Sequence, residues 1–438
     1  MATDNDFDTR YELREFPVGI AADGEPTPET RAALDQIGFG FHEPNPKPGA
    51  HKRKAEGLVA DGVTMLGVYR RQPVAGSVDE TWPAGTFSWF PKALSWGDGT
   101  TINTQAISDV TVRPTERRRG ILRRMMTHAL ERGVAEGFPV AALTASEGTI
   151  YRRFGFGTAI RERDVTVKRA RALPFLTPTS GVVSVVTPEF LNESGVGRRV
   201  FDRFTERSMG SMVRNTATWP FVLGLRGSDG ELVQNVRAAV HRSSDADEVD
   251  GYVTWRVAER PGGQTAIEVI DLVYATDAAY LSLWEFLLSI DLNDLVKYRG
   301  ARLDDPIVTV LADSRAFDID HEEDHVWLRI LDVVATLQSR PYAADGSITI
   351  AVTDTLGFAS GTYRLDVSNG RGTVERIAEG SDADIALDVA DLGALLLGSV
   401  SPVTLAASGL LRSDDPASAI LFRSMLTPAR APHGITYF

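Results

Sequence analysis

Apolar and polar positions change period several times along the 438 residues. Residues 63–70 (VTMLGVYR) are the first run that reads as a strand. Ahead of it, residues 43–56 hold Pro44, Pro46 and Pro48 and the basic run His51-Lys52-Arg53-Lys54, a density of proline and charge that predicts a solvated surface loop. Extended segments follow at 87–90 and 101–112, and Pro114 stops the second of them. From Gly120 the period becomes helical: Ile121, Leu122, Met125, Met126, Ala129 and Leu130 form an apolar stripe, and Arg123, Arg124, His128 and Arg132 fall on other faces. Gly133 and Gly137 end that helix, and residues 139–144 (PVAALT) read as a buried strand. The result is a strand, an Arg/Gly loop, a helix and a strand, an α/β unit.

Residues 168–180 turn to Arg, Ala, Pro, Thr and Ser, which predicts a boundary. A second region repeats the order, with strands at 251–258 and 266–274 and a helix at 277–290 that carries Tyr280, Leu283, Trp284, Leu287 and Leu288 on one face. Val273-Tyr274-Ala275-Thr276 stands where the Arg/Gly loop would be, so this copy is expected to be degenerate and structural. A third region from Val326 carries strands at 326–330, 347–352, 361–367 and 383–387 and helices at 391–397 and 416–426. It ends on Ile435-Thr436-Tyr437-Phe438, too apolar for a disordered tail, so the end is expected to be docked. The domains are expected at 1–168, 169–325 and 326–438.

A formal charge of −13 argues against a nucleic-acid partner and suits cationic small molecules or basic segments. No cysteine is present, which removes thiolate nucleophiles and thiolate metal sites, so any thiol must come with a ligand. The first fourteen residues are not a signal peptide, and no apolar run reaches the roughly 18 residues of a membrane span. A cytoplasmic protein without membrane association is expected.

Two segments carry candidate chemistry. In VTVRPTERRRGILRRMM a strand ends in an Arg-rich turn at Gly120 and a helix begins. A helix start offers free amides and the positive dipole end, so it can hold a diphosphate, with Arg117 and Arg118 adding charge. An exposed basic helix start is the alternative, and this loop alone does not separate a nucleotide from coenzyme A. The second segment, SEGTIYRRFGFG at 146–157, follows the next buried strand and places Tyr151 before Gly155-Phe156. This resembles the acetyltransferase pattern of a tyrosine a few residues before a Gly-Phe pair, whose phenol, protonated at neutral pH, can supply a proton to a leaving thiolate.

With both motifs in hand the sequence resembles the enhanced-intracellular-survival (Eis) acetyltransferases over most of its length. VRPTERRRG and ASEGTIYRRFGFG are the matching motifs, supported by the three-region layout, VWLRI at 326–330 and the aromatic end. The resemblance implies an α/β (α+β) fold of tandem GNAT-like domains followed by a sterol-carrier-protein-like domain, assembled as a homohexamer. It implies acetyl-CoA as co-substrate, no metal, and acetyl transfer to amines such as those of aminoglycosides or lysine side chains. Tyr151 would be the general acid and the terminal carboxylate of Phe438 the general base. Main chain at Val110 and Val112 would meet the pantetheine arm. Arg117, Arg118, Gly120, Ile121 and Leu122 would hold the diphosphate, with Ser146 and Arg153 as further cofactor contacts. Asp109, Glu147 and Tyr437 are candidate substrate contacts. The acyl-CoA loop of this class ends on a small residue where Leu122 stands here, and Asp109 and Tyr437 also depart from the family pattern, which bears on substrate range.

Competing motifs are weaker. His321-Glu322-Glu323-Asp324-His325 matches a zinc-protease pattern but sits in a crowd of acidic residues before a strand, so an acidic loop is expected. Asp245 to Gly251 has calcium-loop composition with the wrong spacing, and a hairpin turn is expected. Rival functions are a protein-lysine acetyltransferase, or a non-catalytic binder of apolar ligands built on the same scaffold.

Overall fold

The computed structural model describes residues 4–169, 175–227, 230–233, 235–244, 248–259, 263–378 and 380–438. Part of the expected boundary at 168–180, and residues 245–247 of the expected hairpin turn, lie outside them.

The runs rich in β-branched and aromatic residues become strands, and up to Ile330 they build one sheet. The first domain supplies β1 (Tyr11–Pro17), β2 (Thr64–Arg70), β3 (Gly85–Ser95), β4 (Thr101–Val112), β5 (Val140–Thr144) and β6 (Gly157–Lys168). The second supplies β7 (Val182–Val186), β8 (Val236–Arg242), β9 (Val249–Glu259), β10 (Thr265–Tyr274), β11 (Leu295–Ala301) and β12 (Phe317–Ile330). Among the described residues they pair in the order β1-β2-β3-β4-β5-β12-β6-β11-β10-β9-β8-β7, so one sheet runs through both domains.

The helices of the first domain are α1 (Asp4–Arg10), α2 (Pro28–Gly40), α3 (Ala50–Ala60) and α4 (Ile121–Ala135). The stripe expected after Gly120 is the buried face of α4: Ile121, Met125, Met126, Ala129 and Leu130 enter a core with Leu66, Phe87 and Trp89. At roughly 1.5–3 kcal/mol for each large apolar side chain, this face fixes the helix on the sheet.

The loop expected at 43–56 is only partly a loop. The prolines keep 43–49 irregular, and Gly49, at φ 75°, then opens α3. Ala55 is fully buried and Gly57 packs so tightly that a Cβ there would stand 2.7 Å from Ala217 Cβ. The basic run lies on this helix.

The acidic stretch expected as a loop is strand. β12 is continuous from Phe317 to Ile330 and does not break at 325/326. Its charges are tolerated because β6 answers them: Glu322 meets Arg161 at 3.0 Å and Arg163 at 2.9 Å, and Asp318 meets Lys168 at 2.5 Å. Its apolar end, expected to open the third domain, pairs instead with β5 from Val326↔Thr144 to Ile330↔Val140. A strand that begins in the second domain is therefore built into the first.

The third domain is a five-stranded sheet among the described residues, β15-β14-β13-β16-β17, made from β13 (Gly346–Thr353), β14 (Gly361–Ser368), β15 (Arg371–Ile377), β16 (Ile385–Asp388) and β17 (Leu411–Arg412). Its helix Val389–Leu395 lies directly on the large sheet: a Cβ at Gly157 would stand 1.8 Å from the Ala390 carbonyl oxygen, and one at Gly393 2.5 Å from that of Leu328. Only glycine permits this approach. Arg152 adds an ion pair to Asp391 at 2.9 Å.

The chain then returns across both of the first two domains. Arg430 pairs with Asp277 at 2.7 Å, the Ala431 amide donates to Asp304, and the His433 ring meets the Gly300 carbonyl at 2.8 Å. Thr436 donates to the Met212 carbonyl and Thr144 donates to the Phe438 main-chain oxygen at 2.6 Å. The expectation of a docked end is met by specific partners.

Candidate active site

β4 and β5 lie parallel and pair from Thr104↔Val140 to Ile107↔Leu143, and no further. Beyond that point β4 bulges against β3, where Thr86↔Thr111 gives way to Ser88↔Ser108, and Asp109 adopts φ 54°. The two strands part, and a cavity of about 290 Å³ opens between them. Val110 lies on its wall, and Val112 follows two residues on along the same strand. Past β4 the chain enters the Arg-rich turn. Arg117 and Arg118 are exposed, Gly120 sits at φ 81°, and α4 starts without a side-chain cap. The Ile121 side chain is buried and that of Leu122 partly so, which leaves their main chain as the part that can face a ligand. A Cβ at Gly120 would meet nothing within 4 Å, so the ground in front of the helix start is open. This is the setting a pyrophosphate requires.

β5 leads into the other wall. Thr144, Ala145, Ser146 and Tyr151 line the cavity. Tyr151 is 5% exposed and its ring meets Phe156 edge-on at 6.2 Å. Burial, with Glu147 nearby, raises its pKa above the ordinary 10, so the phenol is held protonated. Glu147 is exposed and acts on Tyr151 through its charge, not from the cavity wall. Arg153 is exposed over the Phe154 ring at 5.1 Å and is not part of the wall.

The tail closes the cavity. Phe438 and Tyr437 both line it. The Phe438 ring stands edge-on to Phe90 at 6.1 Å, under the Lys92 ammonium at 5.7 Å. Burial lowers the Lys92 pKa to about 8, and its ammonium donates to the Val213 carbonyl. Asp109 accepts from Ser88 at 2.9 Å, with Lys54 at 4.0 Å.

Among the wall residues that sequence reasoning missed, the titratable ones are Glu323, Asp324 and His325. They arrive because β12 is inserted beside β5. That 326–330 forms a strand was visible, but its pairing with a strand some 180 residues earlier has no local signal. The same strand separates the two histidines of the expected acidic loop: His321 is exposed and His325 buried. Among the described residues no group of three or more carboxylates and histidines is placed to hold a metal ion. No helix of the described residues is long and apolar enough to cross a membrane.

Comparison with known proteins agrees with this layout. Residues 29–159 and 210–330 each match an acetyltransferase (GNAT) domain, and 333–434 match a sterol carrier protein domain. An uncharacterised N-acetyltransferase of Streptomyces avermitilis is 33% identical over 369 residues, 82% of this chain and 86% of its own. The N-acetyltransferase Eis of Mycobacterium tuberculosis is 31% identical over 325 residues, 72% of this chain and 75% of its own. The chain belongs to the Eis family of N-acetyltransferases. The crystal structure of Eis1 from Mycobacterium abscessus matches 98% of this chain and 100% of its own with a TM-score of 0.78 at 27% identity.

The Eis fold of two GNAT domains and a sterol-carrier-like domain is therefore that of this chain, and the enzyme is an acetyltransferase with acetyl-CoA as co-substrate. The parted strands and the uncapped, glycine-led start of α4 fit that co-substrate: an extended thiol arm can lie along β4, and a diphosphate can sit before the helix.

Proposed function

We propose that this Eis-family enzyme acetylates primary amines of cationic small molecules, aminoglycoside-like in carrying several ammonium groups, by direct attack of the amine on the thioester. The observation that carries the reading is the company kept in one cavity: the protonated phenol of Tyr151, the main-chain end at Phe438, and the carboxylates of Asp109, Glu323 and Asp324. Three negative groups around one cavity favour a polycation over a neutral amine. Main chain at Val110 and Val112 would pair with the pantetheine arm, and Arg117, Arg118 and the amides from Gly120 to Leu122 would hold the diphosphate, with Ser146 at the mouth. The carboxylate of Phe438 would take the first proton from the amine, and Tyr151 would protonate the departing sulfur. The absence of cysteine supports direct attack, since no thiol is present to carry an acyl group. The homohexamer implied by the family resemblance belongs to the same proposal, and light scattering of the purified protein reads it.

The test is release of free thiol from acetyl-CoA across a panel of mono- and polyamines. Polyamines should turn over best. Tyr151→Phe should lower kcat by about a hundredfold or more, the usual contribution of a positioned acid. A chain extended by a few residues beyond Phe438 should still bind acetyl-CoA and lose turnover. Wild-type rates in the extended protein would remove the terminal carboxylate from the reaction.

A further inference from the structure

A terminal carboxylate, with an ordinary pKa near 3.5, is a poor resting place for an ammonium proton. The wall behind Phe438 holds better candidates. His325 lines the cavity and is 1% exposed, and neither ring nitrogen has a hydrogen-bond partner. Its Nδ1 lies 3.6 Å from Oε2 of Glu162, too far for a hydrogen bond and near enough for one to form with a small shift. Glu162 is also 1% exposed, and that Oε2 is likewise unpartnered. Its other oxygen accepts from the Tyr437 hydroxyl, and the Tyr437 ring stands edge-on to His325 at 4.5 Å. Unpartnered groups buried this deeply are expensive and call for a reason.

We infer that His325 and Glu162, steadied by Tyr437, form a relay that carries the substrate's ammonium proton away from the cavity. The inference rests on the acetyl-transfer reading above. The ammonium gives one proton, directly or by way of the Phe438 carboxylate, to Nε2 of His325, while the Nδ1 proton passes to Oε2 of Glu162. The neutral amine then attacks the thioester carbonyl carbon. The N–C bond forms as the C–S bond breaks, and the sulfur takes the Tyr151 proton. The second nitrogen proton returns to Tyr151. Glu162 releases its proton to solvent, exchange with solvent restores the histidine tautomer, and one proton leaves per turnover.

The surroundings suit an acceptor near neutrality. Burial raises the Glu162 pKa to about 7, reinforced by the charges of Glu323 and Asp164 and opposed by Tyr437 and Arg299. The Tyr298 hydroxyl also faces Glu162. Burial lowers the His325 pKa to about 4 against the pull of Asp324, so the ring passes a proton on and does not keep it. His433, itself held neutral, and Arg302 lie behind it.

The decisive measurement is the pH profile of kcat for the full chain with a polyamine and acetyl-CoA. Wild type should rise with pH through a midpoint near 7, as Glu162 becomes the carboxylate. Glu162→Gln should lose that limb and fall about a hundredfold in kcat, with acetyl-CoA affinity unchanged. A fluorinated primary amine that is neutral at the assay pH should restore near wild-type turnover in the variant, which a merely structural role would not allow. Tyr437→Phe removes a hydrogen bond that favours the carboxylate, so the limb should move to higher pH; this variant reports even if Glu162→Gln fails to fold. An unmoved profile in Glu162→Gln or in Tyr437→Phe, beside active wild type, overturns the relay alone. No thiol release by wild type with any amine overturns the acetyl-transfer reading as well.

Discussion

The two GNAT domains place a helix at the same point after the same kind of strand, and they finish its start in opposite ways. In the first, β4 leads through an Arg-rich turn to Gly120, whose left-handed backbone leaves α4 without a side-chain cap. In the second, β10 leads to Thr276, whose hydroxyl accepts from the Ala279 amide at 3.1 Å. Asp277 follows and is held by Arg207 and Arg430, both at 2.7 Å. A matching pair stands three residues before the end of each strand. Asp109 faces the cavity, whereas Asp271 is locked by both arms of the buried Arg214 and by the Tyr252 hydroxyl. In the first copy the helix start is uncapped and the Asp109 carboxylate, though it accepts from Ser88, lines the cavity; in the second both features are spent inside the fold.

The contrast is tested most severely at the two aspartates. Asp271→Asn would leave Arg214 buried without its counter-charge, among the rings of Phe201 at 4.2 Å and Trp219 at 5.2 Å. Loss of one partner from such a pair costs about 3 to 5 kcal/mol. Chemical denaturation should show a loss of that size. The matched Asp109→Asn should leave the unfolding midpoint nearly unchanged and raise KM for a polycationic amine about tenfold, or roughly 1.4 kcal/mol. Equal stability losses at both positions would erase the distinction.

Next in size is the helix start itself. Gly120→Asp installs a cap and a negative charge where the diphosphate is proposed to lie. No neighbour stands within 4 Å of the new Cβ, and aspartate tolerates the left-handed region better than most residues, so the fold should lose only about 1 kcal/mol. Acetyl-CoA affinity, read by calorimetry, should fall about a hundredfold, or roughly 2.7 kcal/mol. Unchanged affinity would mean that the coenzyme does not use this end of α4.

Sequence made some of this legible and hid the rest, for physical reasons. The stripe from Ile121 to Leu130, the loop at Gly120 and the turn at Tyr151 are local: each depends on spacing within a dozen residues, and each lies where the pattern placed it. The α3 helix was masked by Pro44, Pro46 and Pro48, whose reach ends at Gly49. The β12 error has a different cause. The crowded acidic residues at 318–324 read as a solvated loop until β6 supplies arginines and a lysine opposite them. Pairing between distant strands also decides which residues reach the cavity, so Glu323, Asp324 and His325 could not be assigned from their neighbours in sequence. The tail was legible as docked from its two closing aromatic residues, of which Tyr437 stays half exposed, but not where it docks.

The smallest effect belongs to the second domain's cap. Thr276→Ala removes the hydroxyl that accepts from Ala279 and donates to Asp250 at 2.6 Å. A lost cap of this kind costs about 1 kcal/mol. The helix Asp277–Ser289 it opens buries Tyr280, Leu283, Trp284, Leu287 and Leu288, so packing holds the helix after its first turn loosens. The variant should therefore unfold slightly earlier and bind acetyl-CoA as wild type does. Its value is as a control on Gly120→Asp: the two substitutions alter equivalent helix starts by adding a cap to one and taking it from the other. If freeing the second start produced a second acetyl-CoA site by calorimetry, the cap alone would have kept that domain silent. A stoichiometry of one per chain places the difference also in the Arg-rich turn and the parted strands, which Thr276→Ala does not recreate.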